Sequence, residues 1–407
     1  MGVQNLLPLL APVSSRVNLQ SLKGKKVAVD GFVWLHRGAF GCAKELVNNP
    51  STTKILSFLM KRLNRLLENG ITPVIVFDGQ QLPQKAKTNE KRRKERKEAL
   101  ELALEYEKRN MSRESYQCYE RAVEINSYTV YTWIKQLKKF NIEYIVAPYE
   151  ADAEMAYLAR TGYVDYVLTE DSDLIVYQTP CTLFKLDDLN QVTMIRYDAV
   201  LNHLNLTKEE FILFCCLAGC DYIDHIPRLG IQTSLKYVSK FKTIEKVLEE
   251  IQKSPKFEVP DNYLESLKQA VLTFMAQKIY DPVDKKIKNL IPIENSPPFL
   301  GPPIPEDILN DLISGEIDTR TYAKISQTNE VKVISSSPYF RKSESQNVNE
   351  NALKISDEKT ESKSFKNSFC QSQDLKFQQQ KQSMSSQESQ PMLRRPDLRS
   401  YYQVSKK

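Results

Sequence analysis

The chain has 407 residues, with 57 Lys or Arg against 51 Asp or Glu, so its formal net charge is +6. This length allows one large domain or two smaller domains with tails. No apolar run approaches the length of a membrane span, and the first residues lack the basic start and cleavage site of a signal peptide. The seven cysteines form no CxxC pair, which argues against a zinc site and is typical of a reducing compartment.

Three predicted strands in the first part of the chain lead into acidic residues. Residues 25–30 (KKVAVD) end in Asp30, and residues 72–77 (TPVIVF) are followed by Asp78. A third strand over residues 142–147 leads into Glu150 and Asp152, which are predicted to open a helix. Because sites in mostly parallel α/β sheets form at the carboxyl ends of strands, we expect these acids to share one edge.

A further acidic pair follows the next predicted strand, YVLTE. In an extended chain residues i and i+2 face the same way, so Asp171 and Asp173 are predicted to aim at one point. Asp221 follows an apolar helix predicted over residues 207–218. For one such pair, a solvated strand or helix end is the ordinary explanation. Several pairs at one sheet edge would repel one another, which favours divalent cations, since these prefer oxygen ligands.

One segment carries most of the excess positive charge. Residues 85–97 (KAKTNEKRRKERK) contain eight Lys or Arg and two Glu, in a charged helix predicted over residues 85–109. A charge run is usually a solvated helix face. The sign bias and the position directly after a site-forming strand instead favour contact with phosphate groups.

The remaining pattern predicts helices, a hairpin and a second phosphate contact. Helices are predicted over residues 31–47, 52–68, 112–121, 127–140 and 260–280, and a hairpin from residues 182–186 and 193–196. The segment HIPRLGIQTSLKYVSKF resembles a helix–turn–helix, and the free amides at the start of its second helix suit phosphate. Residues 285–292 form a basic return segment.

Carboxylates beside a basic helix suit two-metal hydrolysis of a phosphodiester. Two Mg²⁺ ions about 4 Å apart activate water and stabilise the leaving oxygen. Lysine or arginine neutralises the charge that develops on the phosphate. No Walker loop or GxGxxG precedes a helix, and no Ser-His-Asp or Cys-His signature is visible.

Six motifs, in order, resemble the flap endonuclease/exonuclease 1 (XPG-type) family of structure-specific 5′ nucleases: MGVQNLLPLL, VAVDGFVWLHRGA, VFDGQQLPQK, APYEADAEMAYL, TEDSDL and LAGCDY. The resemblance covers about residues 1–290, and the first acidic motif is nearer to the exonuclease 1 branch. It implies a PIN-like α/β domain with a central, mostly parallel twisted sheet flanked by helices. A helical gateway or arch and a helix–two-turn–helix are also implied.

The implied regions are an N-terminal nuclease region (1–99), a helical arch with connecting helices (100–137), an internal nuclease region (138–225), a helix–two-turn–helix with the last core helices (226–325), and a tail (326–407). Residues 361–390 contain eight Ser and eight Gln and little that could form a core, so the tail is predicted to be disordered.

The resemblance also implies roles for individual residues. The metal ligands would be Asp30, Asp78, Glu150, Asp152, Asp171, Asp173 and Asp221. The catalytic residues would be Lys85 and Arg92, which form the gateway pair at the scissile phosphate, together with Asp78 and Asp173. DNA contacts would come from Gly2, His36, Lys85, Arg92, Arg93, Arg96, Arg228, Gly230, Ile231 and Lys236.

The implied cofactors are two Mg²⁺ ions, for which Mn²⁺ can substitute, and K⁺ at the helix–two-turn–helix. Arg228 stands where the family has the first glycine of its G-x-G turn, so this chain departs from the family at the K⁺ site. Glycine would supply backbone freedom there and a close approach to phosphate. Phe32 replaces an aromatic residue that often carries a hydroxyl group.

The function implied is that of a monomeric, nuclear 5′→3′ exodeoxyribonuclease with 5′-flap endonuclease activity. Its substrates would be nicked, recessed or 5′-flap duplex DNA, in mismatch repair, end resection and recombination. A dedicated replication flap endonuclease and a non-catalytic DNA-junction scaffold stay open as alternatives. The scaffold would require loss of acids, and all seven positions are acidic. A Holliday-junction resolvase would need a dimer surface.

The tail carries weaker signals for protein partners. Residues 399–402 (RSYY) are similar to a short MutL-binding box, and with Leu398 they resemble a degenerate sliding-clamp box. The residues concerned are Leu398, Tyr401 and Tyr402, and chance similarity is the competing explanation. The implied partners are therefore DNA, a MutL-type mismatch-repair protein and a sliding clamp, with no membrane.

Overall fold

The structure is a computed structural model that describes residues 2–325. Its strands in this range are β1 (Ser14–Asn18), β2 (Lys26–Asp30), β3 (Thr72–Phe77), β4 (Glu143–Val146), β5 (Tyr166–Thr169), β6 (Cys181–Phe184), β7 (Gln191–Arg196), β8 (Lys278–Asp281) and β9 (Lys286–Asn289). Seven of them form one sheet in the order β1-β7-β6-β5-β2-β3-β4, and β8 pairs with β9.

The α-helices of the described range alternate with these strands. They are α1 (Leu6–Leu9), α2 (Gly31–Phe40), α3 (Ala43–Asn48), α4 (Lys54–Glu68), α5 (Ala86–Lys108), α6 (Ser112–Ala122), α7 (Ser127–Lys139), α8 (Ala151–Arg160), α9 (Asp173–Val176), α10 (Tyr197–Leu204), α11 (Lys208–Ala218), α12 (Ile231–Phe241), α13 (Ile244–Gln252), α14 (Tyr263–Ala276) and α15 (Glu306–Ile313). Short 3₁₀ turns lie at Ala11–Val13, Leu19–Leu22, Pro83–Lys85 and Pro298–Leu300.

The central strands of the sheet are parallel. β4, β3, β2, β5 and β6 run in one direction, and β7 lies antiparallel to β6 and to β1. The predicted hairpin is therefore confirmed as β6 and β7. Strand β1 was not predicted, because only Val17 in its SSRVN sequence is apolar. The mostly parallel α/β class with flanking helices is confirmed.

The sheet separates two apolar cores, and the side chains of its central strands alternate between them. From β2, Ala28 packs into one core with helices α8, α11 and α14, whereas Val27 and Val29 pack into the other with α2, α4 and α7. Burial on both faces explains why these strands are continuous apolar runs rather than alternating ones.

Several predicted elements begin or end elsewhere in the structure. The helix predicted over residues 31–47 is broken at Gly41-Cys42 into α2 and α3. The helix predicted over residues 260–280 ends at Ala276, and its last residues form β8. The basic return segment is the partner strand β9, in the register Lys278↔Asn289.

The helix–turn–helix prediction is wrong for the first of its two helices. Residues 225–229 form no helix, and the helix preceding α12 is α11, which ends at Ala218. Pro227 disfavours helix at the preceding residue, and Arg228 has a left-handed φ of 68°. The loop between α11 and α12 therefore spans residues 219–230.

The first residues of the described chain pack onto the domain. Leu6 and Leu10 are fully buried in the core that contains α8. No helix within residues 2–325 is long and apolar enough to cross a membrane. The predicted disordered tail and the residues Leu398, Tyr401 and Tyr402 lie outside the described residues.

Candidate active site

The strand-end acids meet at the carboxyl edge of the sheet. Asp30 is the last residue of β2, and Asp78 follows β3 directly. The pairing Asp30↔Val76 between β2 and β3, and Phe77↔Val146 between β3 and β4, brings these strands to an end at nearly the same level. This shared edge is the one that the sequence predicts.

Hydrogen bonds fix the first two carboxylates. Asp30 caps α2 by accepting from the Val33 amide at 2.9 Å, and its second oxygen accepts from the Thr169 hydroxyl at 2.9 Å. Asp78 accepts from the Ala151 amide, the first residue of α8, at 2.7 Å. The acids therefore connect the ends of neighbouring strands to the helices that follow them.

Asp171 and Asp173 come together by a turn, so the prediction that both lie in extended chain is wrong. Strand β5 ends at Thr169, and Asp173 begins helix α9. The Asp171 carboxylate accepts from the Asp173 amide at 3.0 Å, which closes the turn. The Asp173 carboxylate accepts from the Val3 amide at 3.1 Å.

Gly2 lies directly against this acidic turn. Its φ is 79°, and a Cβ atom placed on it would lie 2.3 Å from Asp171 Oδ1, 2.4 Å from Ser172 Oγ and 2.8 Å from Asp173 Oδ1. No other residue fits this conformation and this approach without a shift of the carboxylates. The structure thus places Gly2 at the acids.

Two basic side chains, Lys85 and Arg92, contact the acidic cluster. The Lys85 Nζ atom lies 2.9 Å from Glu150 Oε1 and 3.1 Å from Asp221 Oδ2. Arg92 donates to both oxygens of Asp221, at 2.8 and 3.0 Å. Lys85 stands at the end of the 3₁₀ turn that precedes α5, and Arg92 lies two turns into α5. The basic helix therefore lies beside the acids.

Burial leaves most of the carboxylates with raised proton affinity. It raises the pKa of Asp30 to about 7 and that of Asp78 to about 6, and the neighbouring carboxylates add to both shifts. Burial likewise raises the pKa values of Asp152 and Asp173 well above the ordinary value. Burial alone would raise the pKa of Asp221, but Lys85 and Arg92 hold it below its usual range.

The donor set of the cluster fits divalent cations. Its seven carboxylates supply oxygen ligands, and no hydrogen bond from a described residue is among the causes that shift the pKa of the Asp152 carboxyl. Mutual repulsion within a buried group of acids is relieved by bound cations. Within residues 2–325, no three His, Cys, Asp or Glu side chains already have the spacing of a finished metal site. The case for divalent cations at this cluster is therefore made by its oxygen donors and its negative charge.

Two cavities share Arg92 in their walls. One of about 210 Å³ is lined by Asp78, Glu150, Lys85 and Arg92. A larger one of about 1140 Å³ lies between α2 and α5. His36, Arg93 and Arg96 line the larger cavity together with Arg92. Burial lowers the pKa of His36, and the charges of Arg96 and Arg92 lower it further, so this imidazole is neutral at pH 7.

The remaining predicted DNA contacts lie in the loop before α12 and on α12 itself. Gly230 immediately precedes α12, Ile231 is its first residue and Lys236 lies on it. Arg228 adopts a left-handed conformation, which is uncommon for a residue other than glycine. The loop is tied to α5, because Lys87 pairs with Asp224 at 2.9 Å. The structure thus places these four residues apart from the strand-end acids.

Sequence reasoning missed two tyrosines that support the cluster. The Tyr222 hydroxyl donates to Glu150, and it lies 2.6 Å from the Tyr177 hydroxyl. Both rings pack edge-on against Phe274, with centroids 4.9 Å apart. The available signal was position, since Tyr222 follows Asp221 directly.

A backbone contact next to Asp78 was also missed. The Gly79 amide donates to the Tyr149 carbonyl at 2.6 Å, and a Cβ atom on Gly79 would lie 2.0 Å from the Ala147 carbonyl oxygen. At Gly79 the chains leaving β3 and β4 therefore touch backbone to backbone. This contact sets the separation between Asp78 and Glu150.

Two family models match the chain, the XPG N-terminal domain over residues 1–99 and the XPG I-region over residues 141–221. The fold and the acidic edge, with these matches, define an XPG-type protein. Exonuclease 1 of Arabidopsis thaliana is 37% identical over 330 residues, which cover 79% of this chain and 45% of that protein. DNA damage-inducible protein DIN7 of Saccharomyces cerevisiae is 33% identical over 71% of this chain and 69% of its own. The chain belongs to the exonuclease 1 branch of the XPG-type nuclease family.

The chain spans about half the length of the exonuclease 1 relatives that it matches, 45% for the Arabidopsis protein. Among solved structures, the catalytic core of Rad2 in complex with DNA substrate aligns with 69% of this chain and 82% of its own. The two are 21% identical, with a TM-score of 0.49.

Proposed function

We propose that this chain is a structure-specific 5′ nuclease that removes nucleotides 5′→3′ from duplex DNA and cleaves 5′ flaps. The observation that carries the proposal is Lys85, whose Nζ atom bridges Glu150 and Asp221 at 2.9 and 3.1 Å inside a cluster of seven carboxylates. A phosphodiester drawn to Lys85 and Arg92 would lie against the acids. The family relationship supports the same activity.

Two Mg²⁺ ions, with Mn²⁺ as a substitute, would activate water and stabilise the leaving oxygen when bound. The residues that would hold them are Asp30, Asp78, Glu150, Asp152, Asp171, Asp173 and Asp221. Lys85 and Arg92 would draw the scissile phosphate to the acids and neutralise its developing charge. Arg93, Arg96 and His36 in the larger cavity would orient the strand, and the start of α12 would bind duplex phosphates.

We propose a nuclear, monomeric enzyme acting on nicked, recessed or 5′-flap duplexes in mismatch repair, end resection and recombination. A MutL-type protein and a sliding clamp would bind through Leu398, Tyr401 and Tyr402. K⁺ would bind at the α11–α12 loop only if Arg228 leaves the carbonyl groups of the turn free.

The test is cleavage of two 5′-labelled DNAs, a nicked duplex and a 5′ flap, with Mg²⁺ or with EDTA, by wild type and Asp173→Asn. Asparagine keeps an acceptor for the Val3 amide, so the variant removes charge with little change in shape. Short products from the nicked duplex that depend on both Mg²⁺ and Asp173 support an exonuclease. Cutting at the flap base alone supports a flap endonuclease. Binding without any cutting supports a scaffold.

A further inference from the structure

The chain that follows the hairpin β8–β9 returns to the acidic edge of the sheet. The Tyr149 hydroxyl donates to the Pro302 carbonyl, and the Tyr144 hydroxyl donates to the Ser314 carbonyl at 3.0 Å. Lys138 on α7 pairs with Glu316 at 2.6 Å. This segment lies beyond residue 221, where the match to the XPG I-region ends.

The segment ends in a turn built around Asp318. The Asp318 carboxylate accepts from the amides of Arg320 and Thr321, both at 2.9 Å, and from the Ser127 hydroxyl on α7. A bridge between Ile317 and Lys324 closes the turn. The turn is thus fixed to α7 and presents Arg320 at its tip.

Arg320 is positioned where the two cavities meet. It lines the smaller cavity together with Lys85 and Arg92, and the larger one together with Arg93 and Arg96. Its side chain is 56% exposed. It is therefore an accessible guanidinium beside the gateway pair, although it comes from a remote part of the sequence.

One carboxylate is shared between Arg320 and the basic helix. Arg320 Nη2 lies 2.8 Å from Glu124 Oε1, and Arg96 Nη2 lies 3.8 Å from the same oxygen. Glu124 is exposed, in the link between α6 and α7. Two guanidinium groups against one carboxylate leave net positive charge, and exposed ion pairs exchange readily for other anions.

We propose that Arg320 is a phosphate ligand for the DNA strand whose 5′ end reaches the acids, with Glu124 as the internal anion that this phosphate displaces. The inference rests on the proposed function and adds to it a contact supplied by the segment after the hairpin. Arginine suits this role, because its planar guanidinium can bind a phosphate in a bidentate manner. The competing explanation is that the Arg320–Glu124 pair only anchors the turn.

The experiment compares Arg320→Ala, Arg320→Lys, Glu124→Gln and the double variant in the full chain. Binding to a nicked duplex is measured by fluorescence anisotropy in EDTA at several salt concentrations. Arg196→Ala and Asp198→Asn are matched controls, since that exposed ion pair lies at the end of β7, at the edge opposite the acids. Thermal melting checks that each variant is folded.

A phosphate ligand and an anchor predict opposite results for Glu124→Gln. If Arg320 binds phosphate, Arg320→Ala weakens binding roughly threefold to tenfold and lowers the salt slope by about 1. Arg320→Lys restores part of this loss. Glu124→Gln tightens binding, because it frees Arg320, and the double variant loses most of that gain. The controls stay at the wild-type affinity.

Two results overturn the inference. One is equal weakening by Arg320→Ala and Glu124→Gln with an unchanged salt slope, which would identify an anchor. The other is wild-type affinity for Arg320→Ala. Failure of the wild-type protein to bind any of these DNAs would instead overturn the proposed function, and the inference with it.

Discussion

Two buried acids in this protein have opposite electrostatics. Asp30 at the sheet edge and Asp281 at the hairpin are both 5% exposed. Burial raises the pKa of Asp30 to about 7. A hydrogen bond from Lys288 at 2.6 Å, with others from the Tyr157 hydroxyl and two amides, holds the pKa of Asp281 well below its usual value. A paired cation thus lowers the pKa of Asp281, whereas burial beside other carboxylates raises that of Asp30.

The difference separates an acid that stabilises the fold from the acids that we propose hold metal ions. Asp281 has its counter-charge built in, whereas within the described residues two basic side chains, Lys85 and Arg92, form ion pairs with the seven edge carboxylates. Such an imbalance is costly in the absence of cations. Sites with this stored repulsion are where perturbed pKa values and function coincide.

The largest effect is expected for Asp30→Asn. Removing one charged oxygen ligand should lower Mg²⁺-dependent cleavage by at least about 10²-fold. Binding of nicked duplex in EDTA should stay within about twofold, because the proposed phosphate contacts lie elsewhere. Single-turnover cleavage and anisotropy measure the two quantities. Parallel loss of binding and rate would contradict the assignment of Asp30 to chemistry.

Lys85→Met should slow cleavage by about 10-fold to 100-fold while weakening DNA binding much less. It also leaves Glu150 and Asp221 without a shared cation, so the metal-free protein should melt at a lower temperature, and Mg²⁺ should recover part of the loss. Lys87→Met, in the exposed pair with Asp224, is the control. Equal cleavage rates and melting temperatures for the two variants would show that Lys85 has no special role in the reaction.

Gly2→Ala should reduce cleavage by roughly tenfold, since a Cβ atom would displace the carboxylates of Asp171 and Asp173. Gly162→Ala is a matched control, because Gly162 also has a positive φ of 77° but has nothing within 4 Å of the added carbon. Single-turnover rates are compared for the two variants. A loss of similar size in both would mean that backbone strain, and not the acids, limits the rate.

The stability difference between Asp30→Asn and wild type should depend on pH. Between pH 4 and 7 the unfolded chain loses the Asp30 proton while the folded chain keeps it, so wild type loses stability relative to the variant. Relative to wild type, the free energy of unfolding of the variant should rise by about 1–3 kcal/mol across this window and should change no further above it. Urea unfolding in EDTA at several pH values measures this gain. A difference that is flat with pH would show that Asp30 is ionised throughout.

Asp281→Asn should change cleavage least. It should lower the free energy of unfolding at pH 7 by about 1–3 kcal/mol, because Lys288 and the Tyr157 hydroxyl lose a charged acceptor. Since the pKa of Asp281 is lowered in the fold, its contribution is present above about pH 4 and is lost as pH falls further. Urea unfolding and the cleavage assay check both parts. A large loss of activity in folded protein would contradict the distinction between Asp281 and the acids at the sheet edge.

Sequence predicted the central strands and the acid edge because apolar runs that end in Asp are local signals. Strand β1 was not predicted, since it depends on pairing with β7, which is distant in sequence, in the register Ser14↔Ile195. The geometry of Asp171 and Asp173 was mispredicted because a turn stabilised by one side chain competes with extended structure. Arg320 carries no local signal, since its neighbour Glu124 is about 200 residues away in sequence.

Gly79 shows that a position can be intolerant of substitution without taking part in binding or catalysis. Its missing side chain lets two backbones touch, and even alanine would place a carbon 2.0 Å from a carbonyl oxygen. In a saturation mutagenesis screen scored by survival, this position should be as intolerant as the acids beside it. It would nevertheless bind nothing and titrate nothing. A map of intolerant positions would therefore outline the scaffold of this edge together with its chemistry, and only charge-specific substitutions would tell the two apart.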